Sequence, residues 1–175
     1  MIQKILIAAD HAGFELKQKL IAANPDLPWE DLGTDSLASV DYPDFSAKLC
    51  EKFIELSRGF PATSDPLGSR PMNSKTSLAN AQELMPQSTG AGIIGLLVCG
   101  SGQGVAIKAN RYPEIRAALC WNADVAKVSR AHNNANVLCL GSRFVEPSLA
   151  QEILKAFLGS AFEGGRHSQR VAKLC

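Results

Sequence analysis

The chain has 175 residues, 46% of them hydrophobic, and a formal net charge of +1. That is enough apolar matter for one α/β domain with its own core. Without a basic block, neither nucleic acid nor a membrane surface is an expected partner, and no apolar run approaches the roughly 20 residues that span a bilayer.

Taken in order, residues 4–9 are a compact apolar run that ends at Asp10-His11 and predicts a first strand. An acid so early in the chain does not fit a signal peptide, so the expected location is cytoplasmic. Gly13 follows, then Phe14, Leu16, Leu20 and Ile21 at helical spacing with lysines between them. Asn24-Pro25 and Pro28 end that helix. Residues 29–32 read as a second strand, closed by Gly33-Thr34-Asp35-Ser36. Asp41-Tyr42-Pro43-Asp44 is a helix entry with proline in the first turn, and Ala47, Leu49, Cys50, Phe53, Ile54 and Leu56 carry the apolar face. The pattern then breaks. Residues 57–92 hold Pro61, Pro66, Pro71 and Pro86 among many serines, threonines and glycines, with only 76–84 helical in character. So long a stretch without elements reads as an insertion in a single domain spanning 1–175.

Beyond it comes the stretch on which the rest is organised. The apolar run 93–98 stops at Cys99, and Gly100-Ser101-Gly102-Gln103-Gly104 leads into a helix over 103–110. A short apolar run bounded by glycines reads as a strand buried on both faces. Alternate glycines let successive backbone N–H groups form an anion-binding nest at a helix N-terminus. A thiol at the lip of such a nest is in a place that favours thiolate. Residues 115–120 are the fourth strand, 123–131 a helix, 132–136 a polar turn, 137–140 the fifth strand, and 146–158 an amphipathic helix. The tail 162–170 is polar and glycine-hinged. Strands alternating with helices predict an α/β fold: a three-layer αβα sandwich, Rossmann-like, on a five-stranded parallel sheet. The five cysteines, odd in number and widely spaced, fit free thiols in a reducing cytosol. No CxxC or HExxH pattern is present, so no metal is expected.

His11, His132 and His167 all fall at element boundaries. Ligands of open α/β sheets bind beyond the carboxyl ends of strands, where chain order reverses. If strands one and three are neighbours there, Asp10-His11 and the Cys99–Gly104 turn face one crevice. Such a crevice suits proton abstraction next to a carbonyl: the thiolate takes a proton from carbon, and the nest with Ser101 stabilises the enediolate oxygen. Arg143, Arg166 and Arg170 could clamp a phosphate. A dinucleotide site is the competing reading. Against it, Val105 stands where that fingerprint needs its third glycine, and Cys120-Trp121-Asn122 lacks the ribose-binding acid.

The chain resembles the ribose-5-phosphate isomerase B family, which includes galactose-6-phosphate isomerase subunits and allose-6-phosphate isomerases. The matching stretches include Asp10-His11-Ala12-Gly13-Phe14-Glu15-Leu16-Lys17, Asp31-Leu32-Gly33-Thr34, Asp41-Tyr42-Pro43, Cys99-Gly100-Ser101-Gly102, His132-Asn133, Gly141-Ser142-Arg143 and Phe162-Glu163-Gly164-Gly165-Arg166-His167. They run in family order over nearly the whole chain outside 57–92.

The resemblance implies aldose–ketose isomerisation of a sugar phosphate through an enediolate, with no metal and no organic cofactor. It implies Cys99 as the base between C1 and C2. Ser101, where many members have threonine, and the amides of Gly100, Gly102 and Gly104 form the enediolate hole. His132 is implied as the ring-opening acid/base and Asp10 as a handler of hydroxyl protons. His11, Arg143, Arg166 and Arg170 are implied phosphate ligands, with Tyr42 and Asn133 lining the site. A branch of the family that lacks the cysteine uses a glutamate where Val105 stands here. The leading expectation is therefore interconversion of ribose 5-phosphate and ribulose 5-phosphate. The alternatives are the same chemistry on a six-carbon sugar phosphate, or a catalytically silent sensor. One geometric expectation follows from these roles. Cys99 ends strand three and His132 precedes strand five, at opposite ends of a parallel sheet, and a five-residue strand spans about 17 Å. A site using both needs two subunits, in a homodimer or dimer of dimers.

Overall fold

The structure, a computed structural model, describes residues 2–59 and 92–174. In chain order its elements are β1 (Lys4–Ala9), α1 (Phe14–Ala23), β2 (Trp29–Asp31), α2 (Tyr42–Gly59), β3 (Ile93–Cys99), α3 (Gln103–Ala109), β4 (Ala117–Leu119), α4 (Ala123–Asn133), β5 (Val137–Gly141), α5 (Pro147–Gly159) and α6 (Arg166–Val171). The strands form one sheet in the order β2-β1-β3-β5-β4, and every pairing is parallel.

The continuous apolar runs are explained by what covers them. All seven residues of β3 and all five of β5 are buried, because helices pack on both faces of a parallel sheet. Successive side chains serve opposite layers. Ile7, Ile94, Leu96, Val98, Leu138 and Leu140 meet Leu16 and Leu20 of α1 and Ile153, Leu154 and Phe157 of α5. Leu6, Leu97, Cys99, Val137 and Cys139 face the other way, toward Leu49, Cys50 and Phe53 of α2 and Val105 and Ala109 of α3. This is the expected three-layer α/β architecture, and it points the Cys99 side chain toward α3.

Lys17, one of the lysines between the apolar positions of α1, is only 1% exposed. Its ammonium sits 2.6 and 2.8 Å from the two Asp31 carboxylate oxygens and donates to the Thr34 carbonyl at 2.7 Å. All three N–H donors are thereby used, which is the condition for burying an ammonium.

Four local readings are corrected. Helix α2 continues to Gly59, three residues into the stretch read as an insertion; the remainder up to residue 91, with the helix expected at 76–84, lies outside the described residues. Strand β4 is three residues long, because Ile115 closes a turn onto the Tyr112 carbonyl and the Arg116 amide donates to the Asn136 side chain. His132 and Asn133 belong to the last turn of α4, and Asn134, at φ 49°, is the left-handed residue that ends it. The polar tail carries helix α6, which begins after Gly164 and Gly165 turn the chain with φ of 65° and 53°.

Candidate active site

Strands β1 and β3 are neighbours, while the chain runs from β1 outward to β2 and only then crosses to β3. The reversal of direction leaves a crevice at the carboxyl ends of the two strands. Asp10 and His11 enter it after β1, residues 99–104 after β3, and Gly141-Ser142-Arg143 after β5. Tyr42 approaches from the first turn of α2.

Asp10 is 6% exposed, and its Oδ1 accepts the Gly13 N–H at 2.9 Å. His11 Nδ1 lies 3.2 Å from both the backbone nitrogen and the carbonyl oxygen of Val40, which orients the ring. Cys99 Sγ accepts the Gly102 N–H at 3.1 Å. Gly102 holds a left-handed φ of 74° as the residue that starts α3, and a Cβ there would overlap Leu119 Cδ1. The turn that aims its amide at sulfur is therefore open only to glycine. The Gln103 N–H donates to Ser101 Oγ at 3.3 Å. The Tyr42 ring lies against Gly104 so closely that a Cβ would stand 2.5 Å from two ring carbons. The Arg143 guanidinium flanks Gly100, where a Cβ would meet Nε at 3.2 Å.

Sequence reasoning assigned no role to Ser142, yet it joins the three loops. Its Oγ donates to the Ala12 carbonyl at 2.7 Å and lies 3.2 Å from the Cys99 carbonyl, while its N–H donates to that same carbonyl at 2.9 Å. The signal was its place in the Gly-Ser-Arg motif, one residue past a strand end.

The other described cysteines are chemically quiet. Burial pushes the Cys50 thiol up to about 12 and the Cys120 thiol up to about 11, and it raises Cys139 well above the ordinary thiol range. At neutral pH these three are protonated. Among the described cysteines, Cys99 alone receives a backbone N–H on sulfur.

The remaining candidates sit elsewhere. His132 and Asn133 end α4, before β5, whereas Cys99 pairs with Gly141 at the far end of β5. From Val137 to Gly141 that strand alone runs about 13 Å. Arg166, His167 and Arg170 lie on α6, which packs against α4. The structure thus gathers Asp10, His11, Tyr42, Cys99, Gly100, Ser101, Gly102, Gly104 and Arg143 at one end of the sheet. His132, Asn133, Arg166 and Arg170 are at the other.

The second group has its own order. The His132 and His167 rings stack with centroids 4.2 Å apart and planes within 5°. His132 Nε2 is 3.6 Å from Glu163 Oε2. These three residues are metal-ligand types, with ligand atoms within 4.8 Å of one another. A metal ion lies in the plane of each imidazole that binds it, however, and two stacked, parallel rings do not share a plane. One ring would have to rotate before both could hold an ion.

Comparison with known proteins gives a consistent result. The family model described as Ribose/Galactose Isomerase matches residues 5–60 and 75–174. Ribose-5-phosphate isomerase B of Escherichia coli K12 is 36% identical over 172 residues, which covers 97% of this chain and 93% of that protein. A crystal structure of a ribose 5-phosphate isomerase from Thermotoga maritima superposes with a TM-score of 0.75 at 38% identity, covering 98% of this chain and 96% of that one. Ribose-5-phosphate isomerase B from Mycoplasma genitalium, solved with bound ribulose-5-phosphate, gives a TM-score of 0.76 at 32% identity, covering 99% and 95%.

Proposed function

This chain belongs to the Ribose/Galactose Isomerase family, and on that premise we propose that it interconverts ribose 5-phosphate and ribulose 5-phosphate with Cys99 as the base. The observation that carries the assignment is the Gly102 N–H aimed at Cys99 Sγ at 3.1 Å, at the lip of a nest that opens α3. Starting from open-chain ribose 5-phosphate, the thiolate removes the proton from C2, the electrons move into an enediolate, and the proton returns to C1 to leave the C2 ketone; the reverse reaction takes the proton from C1. The oxygen charge that develops is met by the amides of Gly100, Gly102 and Gly104 and by Ser101. Asp10 handles hydroxyl protons, and Tyr42 closes over the turn. His11 and Arg143 take the phosphate from this side.

His132, Asn133, Arg166 and Arg170 complete the site from a second copy of the chain, since the sheet separates them from Cys99 within one copy. A homodimer, or a dimer of dimers, is thus part of the reading. So is a reducing cytosol, in which the four described cysteines persist as free thiols. The family's description gives equal place to galactose, which favours one second reading: the same chemistry on a six-carbon sugar phosphate in a roomier crevice. Comparing kcat/KM of the purified protein on ribose 5-phosphate, allose 6-phosphate and galactose 6-phosphate decides between them. The expected result is a preference of about tenfold or more for the pentose, the scale on which one pocket contact discriminates. A preference for a hexose overturns the pentose assignment, and no turnover on any of the three leaves only a sensor.

A further inference from the structure

A ring-opening acid/base must be held in place through both halves of its work. For ribose 5-phosphate the anomeric hydroxyl loses its proton, the C1–O4 bond breaks as C1 becomes a carbonyl, and a proton is delivered to O4; nothing is consumed. The same imidazole serves both halves only if its ring plane stays fixed. His132 is on the last turn of a helix with its side chain 38% exposed, so its own helix does not enclose it. Two groups from the tail hold it instead.

We propose that His167 is a positioning residue for His132: its imidazole is the flat seat on which the His132 ring lies, while Glu163 restrains the edge at Nε2. The proposal rests on the ring-opening role of His132 given above. The seat is built for the purpose. His167 is 8% exposed, its backbone N–H is tied to the Gly164 carbonyl at 3.0 Å, and its ring stacks within 5° of parallel on His132. Glu163 is itself anchored, since its N–H donates to the Ala131 carbonyl at 2.9 Å, one residue before His132. Its surroundings keep the seat neutral. Arg166 Nε–H donates to His167 Nε2 at 3.5 Å, which requires an unprotonated nitrogen there. Burial lowers the His167 pKa first, followed by His132, Arg166 and Arg170, and these outweigh Glu163, which raises it. A neutral seat can face an imidazolium without repelling it, and two charged rings could not stack so closely. Sharing a metal ion would demand that the stack be broken, and the adjacent arginines oppose a cation.

The test separates ring opening from proton transfer. Ribulose 5-phosphate has its 5-hydroxyl esterified and stays open, so solvent deuterium entering its C1 reports enediolate chemistry alone. Turnover of ribose 5-phosphate needs the ring opened first. His167→Ala should lower kcat on ribose 5-phosphate about tenfold, the low end of what a misplaced acid/base costs, with deuterium exchange into ribulose 5-phosphate within about twofold of wild type. His167→Phe, which keeps a flat ring, should recover most of that loss. Equal loss in both assays, a rise in KM alone, or no loss overturns the positioning role. His132→Ala is the control. If it lacks the selective loss, the ring-opening reading fails and takes the proposal with it; if it has the loss and His167→Ala does not, only the positioning fails. Should His167→Ala not fold, the wild type decides. With three histidines in the chain, two Cε1 protons should show mutual ring-current upfield shifts in the proton spectrum, and their absence overturns the stack.

Discussion

A buried thiol is ordinarily a small apolar side chain, and Cys50, Cys120 and Cys139 behave as such, protonated because burial disfavours their anions. Cys99 is equally buried, at 4%, and differs in one contact: an amide hydrogen of the glycine turn points at its sulfur. On the proposed mechanism, that contact faces the sulfur that takes the proton. Cys99→Ala should therefore bind sugar phosphate, keep the fold, and lose proton transfer by about 10²- to 10⁴-fold. The measurement is solvent deuterium entering ribulose 5-phosphate, and exchange at the wild-type rate would falsify the assignment. The turn itself could be read from the chain because its parts are contiguous: Cys99 through Gly104 is six residues of sequence and one turn of structure. Ser142 could not be read that way. Its partners Ala12 and Cys99 are 130 and 43 positions away, so its place after a strand could flag it but not say what it clasps.

At the level of elements, the strands were legible because they are buried on both faces and so must be continuously apolar. The weak points were ends, where side-chain hydrogen bonds rather than periodicity decide. Asn136 takes the Arg116 amide out of the sheet, and Asn134 carries α4 past His132 before stopping it. Helix α6 escaped notice because its six residues bury only His167 and Val171, too few to show a period. Lys17 escaped too, since a lysine between apolar positions reads as solvent-facing. Its pairing with Asp31 ties α1 to β2 and to the Thr34 loop. Asp31→Ala leaves a buried ammonium with only a carbonyl partner and should cost about 3 kcal/mol of stability, the cost of breaking a buried pair from one side. Lys17→Met keeps the apolar stem and leaves Asp31, 36% exposed, to water, so it should cost distinctly less. Urea denaturation of the two variants checks the order, and a Lys17→Met variant as unstable as Asp31→Ala would mean that the ammonium's bonds to Asp31 and Thr34 are themselves net stabilising, beyond the neutralising of a buried charge.

For the whole molecule, the decisive fact is the polarity of the sheet. Every strand runs the same way, so a residue that ends β3 and a residue that precedes β5 are held apart by the length of β5. No side-chain rotation closes that gap, so on the proposed reading a second copy brings His132 to Cys99. Under that proposal, closed two-fold pairing would produce two equivalent sites, each with the thiol and nest from one copy and the imidazole and tail arginines from the other. Mixing Cys99→Ala protein with His132→Ala protein under subunit exchange tests this directly. Random pairing makes about half the dimers mixed, and each mixed dimer carries one site with both residues intact and one with both lost, so activity should rise to about a quarter of wild type. Residual turnover by His132→Ala must be subtracted, because sugar rings also open unaided. If isotope-labelled subunits are shown to exchange and activity stays at the level of the two parents, each site is built within one chain, and the separation across the sheet must then be closed by a rearrangement of α4 and α6.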